Sequence, residues 1–196
     1  PTTLAAMKLD FNAPLTLSMT LLAAATLAVS SAMGGLPRWL IASAPSPVDA
    51  QYALGLVLYP LAHANIAHLC GNLALLLLLG PVVEERYGSL PLLLWFAITS
   101  VVIGLAHTLF FSGGLVGASG LVFFCVMLSS AGALKAGRIP VTLLLVALLY
   151  LGQEISSALE PDDVSQMAHV LGGVCGVAAG LFMKRRDGLS GKADVR

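Results

Sequence analysis

The chain has 196 residues, of which 58% are hydrophobic and 10% charged, and its formal net charge is zero. Soluble globular domains carry about a quarter charged residues, so water is excluded as the main solvent of this chain. A nucleic-acid partner is excluded as well, because the one basic cluster, Lys184-Arg185-Arg186, directly follows an apolar run. There it reads as an orientation signal and a contact for anionic lipid headgroups.

Six apolar runs appear in chain order, at 14–34, 66–83, 90–111, 117–134, 139–157 and 167–183. Each is expected to be a helix, since unpaired backbone groups cannot face lipid. A membrane barrel would need alternation, and Leu75 to Leu79 do not alternate. The fold class is therefore an all-α membrane protein, a six-transmembrane-helix bundle whose short fourth helix carries Ser119. Three parts are expected: a cytoplasmic segment 1–13, a six-helix domain 14–183 and a basic cytoplasmic tail 184–196. The first run is long and weakly flanked for a cleaved signal peptide and is read as a retained helix. Pro1 reads as a chain whose initiator methionine was removed or omitted. Placing both termini in the cytoplasm puts nine of the ten Lys and Arg residues there and leaves only Arg38 outside.

Two connections stand out. The stretch 35–65, with Pro37, Pro45, Pro47 and Pro60, is moderately apolar but not one clean span, and it is expected to lie partly in the outer interface. The uncharged loop Ser112-Gly113-Gly114-Leu115-Val116 leads straight into Gly117-Ala118-Ser119-Gly120. Irregular backbone entering a short helix is tolerated at membrane depth only where protein or a water cavity surrounds it.

Polar side chains at membrane depth are costly and line cavities or pair with one another. His68 and Asn72, four residues apart, share one helix face and can donate into a common space, or they can serve helix packing. Ser119 lies among small residues that would let a substrate backbone approach its hydroxyl, although small residues also pack membrane helices. His169 stands on the same side of its helix as Gly172, Gly176 and Gly180, a stripe that admits a neighbouring helix to near backbone contact. If that neighbour is the fourth helix, the imidazole reaches the Ser119 hydroxyl as the base that a serine nucleophile requires. Glu154, Asp162 and Asp163 are the carboxylates available to orient His169, with capping or solvation as their alternative role. His63 and His107 are assigned to structure or the interface. Cys70, Cys125 and Cys175 lie in different runs without a C-x-x-C pair and read as buried apolar residues, so no disulfide framework, metal site or cofactor is expected.

Four segments in order resemble the rhomboid family of intramembrane serine proteases: His68-Leu69-Cys70-Gly71-Asn72 is similar to H-x-x-x-N, Glu84-Glu85-Arg86 to E-x-R, Gly117-Ala118-Ser119-Gly120 to G-x-S-G, and Ala168-His169-Val170-Leu171-Gly172 to A-H-x-x-G. The resemblance covers about Tyr59 to Gly180. It implies a rhomboid-like bundle in which Ser119 is the nucleophile, His169 the base, and the Ser119 amide with His68 and Asn72 the oxyanion donors. It implies transmembrane protein substrates with helix-destabilising residues near the outer face, small residues at the cleaved position, and water access from that side. Two features depart from the family: Arg38-Trp39 stands in reverse of the usual tryptophan-arginine pair and further upstream, and Phe123 replaces a tyrosine four residues after the nucleophile. A noncatalytic, client-binding relative is the rival reading, and such relatives usually lack the serine or the histidine. Size and helix number point to a bacterial cytoplasmic membrane. Oligomeric state is not legible in the chain.

Overall fold

The computed structural model describes residues 11–44, 49–135 and 163–183, with isolated positions 139, 141, 144, 145 and 148. The rest of the fifth expected helix, with Glu154, lies outside the described residues. So do Glu160, Asp162, the Asp163 side chain and the tail 184–196.

The chain runs α1 (Pro14–Met33), a 3-10 turn (Arg38–Leu40), β1 (Ala42–Ser43), α2 (Ala50–Leu58), a second 3-10 turn (Tyr59–Leu61), α3 (Ile66–Tyr87), α4 (Ser89–Phe110), β2 (Gly114–Leu115), α5 (Ser119–Lys135) and α6 (Asp163–Phe182). Among the described residues α1, α3 and α4 are long and apolar enough to cross a membrane, and shorter apolar helices cover Ala50–Leu61, Ser119–Ser130 and Gln166–Phe182. Large apolar side chains such as Leu78, Leu94 and Val170 stay exposed on α3, α4 and α6, as expected of helices whose outward faces meet lipid.

α1 begins with Pro14, whose missing N–H costs nothing in a first turn. The Ala13 side chain gives no cap. The task falls to α3, whose Glu84 carboxylate accepts from the amides of Leu15 at 2.7 Å and Thr16 at 2.9 Å. It also accepts from the hydroxyls of Thr16 at 2.8 Å and Ser89 at 2.7 Å. One carboxylate, 2% exposed, thus ties together the starts of α1 and α4 and the end of α3. Sequence alone ends this helix at 83. The structure carries it to Tyr87 because Glu84 has these internal partners, so a charged residue does not mark the helix end.

The core has two parts. Leu76, Leu92, Phe96, Leu121, Val122, Phe124 and Leu128 form the larger one between α3, α4, α5 and α6. A smaller cluster of Ala42, Leu56, Tyr59, Ile103, Leu115 and Ala168 joins the first connection to α4 and α6. The described parts of that connection are therefore ordered. Asp49 caps α2 by accepting from the Tyr52 amide, and Arg38 pairs with Asp49 at 3.0 Å. The Tyr52 hydroxyl meets Thr108 of α4 at 3.2 Å. Helices alone were expected, yet β1 and β2 pair antiparallel, Ala42 opposite Leu115 and Ser43 opposite Gly114. Two irregular loops satisfy their backbone groups against each other, as groups removed from water must.

Candidate active site

The G-x-S-G segment is held at three points. The Gly117 amide donates to the Tyr59 carbonyl at 3.1 Å, so the second 3-10 turn fixes the approach to α5. Gly117 has φ 111°, a conformation suited to glycine. A Cβ there would also lie 2.6 Å from Nε2 of His68 and 3.6 Å from Nδ2 of Asn72. Finally, the Ala118 carbonyl accepts from the amides of Leu121 and Val122 and starts α5. Ser119 is then the first residue of the helix, where a backbone N–H has no intrahelical partner and the helix dipole favours negative charge.

α3 brings His68 and Asn72 to this point. Asn65 caps α3, its side chain accepting from the His68 amide at 2.9 Å. One turn on, Asn72 is buried and donates through Nδ2 to the His68 carbonyl at 3.2 Å. An amide nitrogen carries two hydrogens, so Asn72 keeps a second donor on the side of Gly117.

α6 packs against α5 at backbone distance. A Cβ on Gly172 would collide with the Gly120 carbonyl, lying 2.8 Å from its carbon, and one on Gly176 would meet the Phe124 carbonyl in the same way. The condition attached to the glycine stripe is therefore met by Gly172 and Gly176: the neighbour is α5. A Cβ on Gly120 would in turn lie 3.3 Å from the carbonyl oxygen of Ala168, the residue before His169. The rings of Phe123 and His169 stack at 4.4 Å with 14° between their planes. Phe123 is one helical turn beyond Ser119, on the same face, so the imidazole lies over the face of α5 that presents the serine.

Sequence reasoning left His63 and Tyr59 out of the site. His63 is 1% exposed, and its ring contacts that of His68 edge-on at 5.0 Å. Burial pushes it down to about 4, reinforced by the neighbouring His68 and opposed by the Leu61 backbone. His107 approaches the Gly113 carbonyl at 3.4 Å and stacks on Phe111. It supports the loop before β2, in agreement with a packing role. No group of three or more His, Cys, Asp or Glu side chains able to hold a metal occurs among the described residues.

Apolar helices in series, crossed by a polar cluster around a helix-initial serine, define a multi-pass membrane protein. Residues 50–186 match the family model of the Rhomboid domain. The chain belongs to the rhomboid family. Comparison with curated proteins gave no match.

Proposed function

We propose that the protein is an intramembrane serine endopeptidase that cleaves transmembrane segments of membrane proteins through a Ser119–His169 dyad. The observation that carries this reading is the seam between α5 and α6, where backbone contact at Gly120 and Gly172 and the Phe123–His169 stack set the imidazole over the face that bears Ser119. His169 takes the proton as the Ser119 hydroxyl attacks the peptide carbonyl, and returns it to the leaving amine. In this reading the oxyanion that forms is met by the Ser119 amide and by the His68 and Asn72 side chains, the latter two lying beside Gly117. A helical substrate must unwind first, since its turns shield the scissile bond, so helix-destabilising residues in the substrate favour cleavage. In this reading α1, α3, α4, α5 and α6, with the apolar run 139–157 as a further span, make a six-span bundle, and the distribution of basic residues favours both termini in the cytoplasm. A bacterial cytoplasmic membrane is the proposed setting.

Labelling of the detergent-solubilised protein with a fluorophosphonate, beside cleavage of a reconstituted transmembrane substrate, tests this. Labelling and cleavage should vanish in Ser119→Ala and His169→Ala. Asn72→Ala should slow cleavage about 10²- to 10³-fold, the usual loss of one oxyanion donor. A folded wild type that does not label would favour the noncatalytic, client-binding reading.

A further inference from the structure

The stretch 59–68 touches Gly117 at both its ends: the Tyr59 carbonyl receives the Gly117 amide, and the His68 ring lies against the Gly117 Cα. His63 sits inside this stretch. Its ring is almost fully buried, and among the described residues neither nitrogen makes a well-formed hydrogen bond, the Leu61 backbone offering only a weak one. Its close neighbour is the His68 ring, met edge-on with 70° between the planes.

A buried imidazole with so weak a partner is expensive, so its value lies in the shape it presents. His68 is only half-buried and stands in the first turn of α3, where its backbone is held by the Asn65 cap. That cap fixes the main chain and does not by itself set the side-chain rotamer. A flat ring on one side and Gly117 on the other leave the imidazole a slot between them. From this arrangement we infer that His63 is a positioning residue, a wedge that keeps the His68 ring aimed at the oxyanion side of Ser119. The inference rests on the proposed protease reading. His63 is neutral at pH 7, being held near 4, so the wedge adds no charge beside His68.

The test is a double-mutant cycle on cleavage of a reconstituted substrate, with Ser119→Ala run alongside. His63→Ala should lower kcat roughly ten- to a hundredfold with KM unchanged, the size of effect expected when a reacting group is displaced by a fraction of an ångström to one ångström. His63→Phe, which keeps a flat ring walling the slot, should restore most of the rate. In a His68→Ala background His63→Ala should have no further effect. An equal loss in both backgrounds, a change confined to KM, or an unchanged kcat in His63→Ala would overturn the inference while leaving the protease reading intact. Cleavage that survives Ser119→Ala would overturn both. Should His63→Ala fail to fold, His63→Leu takes its place in the same cycle, since it fills the volume without a flat face.

Discussion

The two ends of the bundle treat buried polar groups in opposite ways. At one end Glu84 accepts four hydrogen bonds from α1 and α4, all between 2.7 and 2.9 Å. At the other end His63 is as deeply buried with no well-formed hydrogen bond among the described residues, Asn72 holds a donor in reserve, and the amide of Ser119 opens a helix. A saturated carboxylate can only hold helices together. On the proposed protease reading, donors left available around Ser119 answer a charge that arises only when a substrate reacts. The contrast separates architecture from chemistry more clearly than burial does, because both groups are buried.

The seam between α5 and α6 is where that contrast breaks most severely. In Gly172→Val the added carbons meet the Gly120 carbonyl, which is backbone and cannot swing away. α6 must withdraw, carrying His169 off the serine face. Overpacking of this kind costs about 1–3 kcal/mol, and serine labelling should fall at least roughly a hundredfold, since displacements near 1 Å cost that much. Gly71→Ala on α3 is the control: nothing lies within 4 Å of its Cβ position, so the thermal midpoint should hold or rise slightly through helix propensity. Equal losses in both variants would show that glycine content, and not the seam, sets the geometry.

At the opposite end Glu84→Gln keeps the volume and removes the charge. A carboxamide offers one acceptor oxygen and turns an NH2 toward donors, so at least one of the Leu15 and Thr16 amides loses its partner. A buried donor left unsatisfied costs about 1–3 kcal/mol. The melt in detergent should shift accordingly, while labelling of the remaining folded protein stays at the wild-type rate, because Glu84 touches none of the groups around Ser119. A labelling rate that dropped with stability would mean that the two ends are coupled through α3.

Much of this division is legible in sequence, for reasons that differ by element. The run 14–34 gives α1 almost to the residue, because lipid demands an unbroken apolar helix and glycine ends it. His68 and Asn72 fall on one face by helical spacing alone, and Gly172 and Gly176 announce a close neighbour. That the neighbour is α5 is a tertiary fact, and so are the continuation of α3 through Glu84 and the pairing of β1 with β2. A charged triplet ordinarily marks a helix end, and only the distant amides of α1 explain why Glu84 does not. Asn65, a capping residue three before His68, was a local signal that could have fixed the start of α3 and the orientation of the donor pair. The His63–His68 contact has no periodic signature, since His63 lies in irregular backbone just before the cap.

The smallest effect belongs to the exposed clip that shapes the first connection. Asp49 is held below the usual carboxylate range first by the Tyr52 amide, with burial opposing, then by the charge and hydrogen bond of Arg38. A carboxyl whose folded pKa is depressed gives stability that is fully present above its unfolded value, near 3.8, and is lost as pH falls through the lower folded value. The clip should therefore be intact at neutral pH and fail only in strong acid. Because Asp49→Ala removes both the cap on Tyr52 and the ion pair while Arg38→Ala removes the ion pair alone, Asp49→Ala should lower the thermal midpoint more than Arg38→Ala, and the Arg38 effect alone should fade in high salt, as exposed ion pairs do. An Arg38→Ala loss that exceeded that of Asp49→Ala and resisted salt would assign the first connection's order to Arg38 itself, through contacts beyond the ion pair, and would make this end of the molecule as firmly tied as the Glu84 end.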